Sequence, residues 1–80
     1  MQATDSETLT HIASNITRLR GERSMGWLAR SVDVGTIHIS RIEAGDVMPG
    51  SGLLVRIASA LGVTPNDLLS SPKKKSKPVT

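Results

Sequence analysis

The sequence predicts an all-α domain built from five short helices. Three observations predict it. Apolar residues recur at helical spacing in successive windows, as in Leu9, Ile12, Ile16 and Leu19. Glycines and small polar residues fall between those windows, where helices stop and start. No segment alternates like a strand, and no internal repeat is visible.

The first helix holds Leu9, Ile12, Ile16 and Leu19 on one face. Thr4 followed by Glu7 fits a capping box, and Ser6 is another candidate N-cap. Gly21 can end this helix as the residue after its last turn. Ser24 then caps a second helix over about Met25–Val32, and Asp33 suits a left-handed turn position. A third helix runs from about Thr36 to Ala44 and Gly45 ends it. After a loop at Asp46–Gly50 containing Pro49, a fourth runs from about Ser51 to Leu61, with Leu53, Leu54, Ile57, Ala58 and Leu61 inward. Gly62 closes it. Thr64-Pro65-Asn66-Asp67 then opens a last short helix holding Leu68 and Leu69: N-cap, proline at the first position, acid in the first turn. The predicted core is Leu9, Ile12, Ile16, Leu19, Leu28, Val32, Ile39, Ile42, Leu54, Ile57 and Leu61.

The run LARSVDVGTIHISRIEAG at 28–45 is the most informative. Leu28 and Val32 share one face of the second helix, and Ile39 and Ile42 one face of the third. Val34 lies in the turn and can fill the wedge between them, while the small Ala29 permits close approach. Two helices meeting steeply in this way make a helix-turn-helix, which presents its second helix to a DNA major groove.

Composition narrows the function classes. Eighty residues make one small domain, whose core is marginal at that size. It divides into a polar segment at 1–8, a folded domain at 9–70 and a Lys-, Pro- and Ser-rich disordered tail at 71–80. There are no cysteines, and His11 and His38 cannot make a zinc site alone, so no metal or other cofactor is expected. With one Trp27 and no Tyr or Phe, single-strand base stacking is not expected either. No nucleophile–base pair or glycine-rich phosphate loop suggests an enzyme. The polar, acidic start is unlike a signal peptide and no apolar run is long enough for a membrane span, which predicts a cytoplasmic protein. Residues 9–70 carry six arginines against five acids, a net of +1, so much of the basic character comes from Lys73, Lys74, Lys75 and Lys77. That run fits either a nucleic-acid or targeting patch or a plain solubilising tail.

From about residue 12 to 69 the chain resembles the Cro and phage-repressor helix-turn-helix family, also called the XRE family. The matching pieces are NITRLR at 15–20, LARSVDVGTIHISRIEAG at 28–45, Pro49, and LVRIASALGVTPNDLL at 54–69. The resemblance implies a five-helix, lambda-repressor-like DNA-binding domain. It implies base reading by Thr36, Ile37 and Arg41, and an ion pair between Arg20 and Glu43 that ties the first helix to the third. Three features depart from the family pattern. The chain is about two residues short between Arg20 and Leu28; the deletion falls either in the linker or in the second helix, the latter placing Met25 at the linker's apolar position. Met25 stands where the family usually has a phosphate-binding Gln. The loop after the third helix is Asp46-Val47-Met48, where the family is often basic.

The third helix turns Thr36, Ile37, Ser40 and Arg41 away from Ile39 and Ile42. Arg41 can take O6 and N7 of guanine together, and Ile37 can press on a thymine methyl. The plain alternative is a solvated helix face, for which an exposed Ile37 is an awkward choice. Gly35 can offer backbone N–H groups to a phosphate, and His38 and Arg30 are further phosphate candidates; each is otherwise an ordinary surface residue. Arg18 and Arg23 read as solvated, and Trp27 as packing against the first helix or at an interface.

Two functions follow. The first is a sequence-specific regulator, a repressor or autoregulator, binding a palindrome in double-stranded DNA as a homodimer. Leu61, Val63, Leu68 and Leu69 are its candidate dimer face. The alternative is an antitoxin-like or other protein-binding module, favoured by the weakly basic body and the acidic loop.

Overall fold

The computed structural model describes residues 5–70. The lysines at 73–77 and the candidate cap Thr4 lie outside them. Five helices follow in order: α1 Asp5–Arg20, α2 Met25–Val32, α3 Thr36–Glu43, α4 Ser51–Leu61 and α5 Pro65–Leu69. No strand occurs among the described residues. No helix among them is long and apolar enough to cross a membrane. α2 packs against both α3 and α4, while α1 packs against α3 and α5, and α5 closes onto α4. α1 begins at Asp5, inside the stretch expected to be a polar segment ahead of the folded domain. Ser6 is therefore the second residue of the helix and not its cap.

Helix ends are set by local chemistry. The Ser24 hydroxyl accepts from the Trp27 N–H at the start of α2. α5 starts on a full capping box: Asp67 N–H donates to the Thr64 hydroxyl, and Thr64 N–H to the Asp67 carboxylate. α2, α3 and α4 end alike, with two backbone N–H groups turning back onto the last turn. For α2 these are Asp33 N–H to Arg30 C=O and Val34 N–H to Ala29 C=O. Gly45 and Gly62 supply the left-handed residue after α3 and α4. After α2 that residue is Asp33, at φ 62°. Such a turn costs an ordinary L-residue ~1–2 kcal/mol, less for Asp. Asp33→Gly should therefore hold or slightly raise the urea midpoint, and Asp33→Val should lower it by the equivalent of ~1–2 kcal/mol. Equal midpoints for the Val and Gly variants would mean the turn is not left-handed.

Ile12, Ile16, Leu28, Ala29, Val32, Ile39, Ile42, Ile57, Ala58 and Leu68 form one buried cluster. Leu9, Leu19, Leu54 and Leu61, expected inside, are only half-buried. Leu9 and Leu19 sit toward the ends of α1, and Leu54 and Leu61 flank Ile57 at the edges of the buried face of α4. Asn15 and Pro49 are buried unexpectedly. The Asn15 amide donates to the carbonyls of Leu68 and Ser70, both at 2.8 Å. Arg18 donates to its carbonyl oxygen at 3.0 Å. The buried polar side chain is thus satisfied, and it ties α1 to the end of α5.

Candidate nucleic-acid interface

α3 presents two unlike faces. Ile39 and Ile42 are fully buried and lock its inner face to the core. Thr36, Ile37, Ser40 and Arg41 are all exposed on the outer face, at the i, i+1, i+4, i+5 spacing that keeps them together. Ile37 is 70% exposed, the largest value among the exposed large apolar residues. The packing of the domain leaves this side chain in solvent on the outer face of α3.

The N-terminal end of α3 is open. Gly35 is its N-cap, with no side-chain cap bond. A Cβ on Gly35 would meet nothing within 4 Å, so packing within the chain does not require glycine there. His38 is exposed one turn on. Arg30 is exposed on α2, and its Nη1 lies 3.4 Å from where a Cβ on Gly26 would stand. It folds back over its own helix rather than joining the outer face of α3.

The C-terminal end of α3 is held by charge. Arg20 Nε meets Glu43 Oε2 at 2.7 Å and Nη2 meets Oε1 at 2.8 Å. The Thr17 hydroxyl adds a donor to Oε1 at 3.2 Å. Hydrogen bonding to Glu43 raises the Arg20 guanidinium above its usual range; burial opposes this, and attraction to the Glu43 charge adds to it. Both partners are mostly buried, so α1 grips α3 through a fixed fork. Thr17 was not foreseen. Its signal was its place one turn before Arg20 on the same helix.

The departures from the family pattern acquire positions. Met25 is half-buried against the core as the first residue of α2, so its thioether serves packing. Arg23 lays its guanidinium 4.0 Å over the Trp27 ring and reaches the Leu19 carbonyl at 3.4 Å. The short linker between α1 and α2 is thus closed by stacking. Trp27 is half-buried against the core. The Asp46 N–H donates to the Arg41 carbonyl, turning the acidic loop back onto the end of α3.

Leu68 requires a correction. It was a candidate for a dimer face, yet it is fully buried in the chain's own core, because α5 inserts it between α1 and α4. It has no surface to give to a second copy. Leu69 is 39% exposed, and Leu61 and Val63 are half-buried. No cluster of His, Asp and Glu suited to a metal ion occurs among the described residues.

A sequence profile described as helix-turn-helix (HTH_3) matches residues 16–68. No curated protein sequence matches the chain. Solved structures share its fold, two among them as follows. One is a hypothetical transcription factor, NHTF, from Neisseria, 22% identical, with a TM-score of 0.80 over 94% of this chain and 88% of that one. The other is the SOS-response transcriptional repressor LexA from Eubacterium rectale, 17% identical, with a TM-score of 0.77 over 100% of this chain and 85% of that one. At such identities the likeness is one of fold.

Proposed function

Because the chain belongs to the helix-turn-helix family, a DNA-binding class, we propose that it is a sequence-specific transcriptional regulator reading a palindromic operator as a homodimer through α3. The observation that carries this reading is the outer face of α3, where a 70%-exposed Ile37 stands beside exposed Thr36, Ser40 and Arg41 on a helix held by its buried inner face and by the Arg20–Glu43 pair at its C-terminal end. A rigid face pairing an apolar group with a guanidinium matches what a major groove offers: a thymine methyl and guanine acceptors. Gly35 and His38 would meet phosphate at the N-terminal end of α3, with Arg30 swinging off Gly26 to join them. One unit covers half a site, so a second copy is required for the other half. Its contact would use Leu61, Val63 and Leu69. Occlusion of a promoter, its own included, is the simplest action for such a unit and makes it a repressor.

The test is a fluorescence-anisotropy titration against a site selected from random DNA and against scrambled DNA. Arg41→Ala should cost ~1–3 kcal/mol on the selected site and relax preference at one base pair. Equal losses on both DNAs would show that Arg41 contacts phosphate only. If selection recovers no preferred site even at low salt, the protein-binding alternative replaces this reading.

A further inference from the structure

α4 leaves a second surface unused by DNA reading. Arg56 Nε donates to the Val32 carbonyl at 3.3 Å, across the gap between α4 and the end of α2. This bond fixes one edge of the guanidinium and caps the C-terminal end of α2. Arg56 forms no ion pair with any described residue. Beside it lies an open groove of about 440 Å³ lined by Ser31, Arg56, Ser59 and Ala60. Ser59 stands exposed one turn on, and the Ser31 hydroxyl is already committed to the Trp27 carbonyl at 2.8 Å. Val55 is 53% exposed on the neighbouring helix position. A Cβ on Gly52, one turn before, would meet nothing within 4 Å. Positions 52, 55, 56 and 59 thus make one stripe of α4, flat at one end, apolar in the middle and cationic beside the groove.

We propose that this α2–α4 groove docks an acidic segment of a partner protein, a carboxylate pairing with Arg56 and an adjoining apolar side chain covering Val55. With Nε held by Val32, the two terminal nitrogens remain for a bidentate carboxylate, and the Ser59 hydroxyl can donate a third bond. The charge complement of an unpaired, pre-oriented guanidinium is an anion, and exposed Val55 selects a peptide over a bare ion. A nucleic-acid backbone fits less well: α2 packs between α3 and α4, placing the groove across α2 from the reading helix. The site does not depend on the operator reading being right.

The test is an NMR titration of the 15N-labelled full chain with a blocked Glu-Leu-Glu peptide, with Gln-Leu-Gln as the uncharged control. Amide shifts should gather at Ser31, Val55, Arg56, Ser59 and Ala60. Arg56→Ala should weaken the acidic peptide at least about tenfold, the loss of one charge-assisted pair. Since Arg56 also caps α2, Ser59→Glu serves as a second variant. It keeps the Val32 bond and fills the groove with its own carboxylate, and it should weaken the peptide to a similar degree. Unchanged binding by a folded variant, equal binding of the uncharged peptide, or shifts centred on α3 would each overturn the proposal. So would an Arg56→Ala protein that loses scrambled-DNA affinity, which would assign the cation to a phosphate backbone.

Discussion

Glu43→Ala should remove about 3–5 kcal/mol of stability, the cost of breaking a buried pair by deleting one partner. The side chains of Arg20 and Glu43 are only 14% and 5% exposed, so the remaining guanidinium cannot regain full hydration without moving. Three donor contacts end on this one carboxylate, two from Arg20 and one from Thr17. Relief comes from the Arg23 carbonyl, which also accepts from Arg20 and favours the lower end of the range. Small domains have only ~5–15 kcal/mol in total, so the loss should show plainly in the urea midpoint. Arg20→Lys, with Glu43 kept, should lose only part of it, because an ammonium keeps the charge but not the two parallel bonds. A raised base pKa stabilises below the unfolded value and is lost only as pH rises through the folded one. For Arg20 that window lies above the ordinary arginine range, so its side of the pair should hold across neutral and mildly alkaline pH. A Glu43→Ala protein that unfolds like wild type would mean α3 is held by Ile39 and Ile42 alone.

What the sequence discloses and what it conceals divide on locality. The caps are local events, so Ser24, Asp33, Thr64 and Asp67 could be placed from neighbouring residues alone. The outward face of α3 was readable for a related reason. Once Ile39 and Ile42 face inward, helical geometry leaves 36, 37, 40 and 41 facing out. Asn15 was hidden because its partners are backbone carbonyls 53 and 55 residues away, and a carbonyl carries no mark in a sequence. The groove at Arg56 was hidden likewise, since Val32 holds it through a carbonyl 24 residues distant. Leu68 and Leu69 defeat periodicity outright. A five-residue helix is too short for a period to show which of two adjacent leucines points in.

Leu68 and Leu69 should therefore behave oppositely when cut back to alanine. Leu68→Ala removes most of a fully buried side chain where α5 meets α1 and α4, and such truncations cost about 2–5 kcal/mol. The site collapses poorly, because Asn15 holds the α5 backbone on one side and the Thr64–Asp67 capping box fixes its start on the other. Backbone held in this way cannot settle into the space left, which places the expected cost in the upper half of the range. Leu69, already 39% exposed, gives up much less buried area as a monomer, and Leu69→Ala should cost no more than about 1 kcal/mol. If Leu69 lies at a contact between copies, the same variant should shift sedimentation toward the monomer while the dilute melting curve stays put. Equal melting of the two variants would show that α5 does not dock through Leu68.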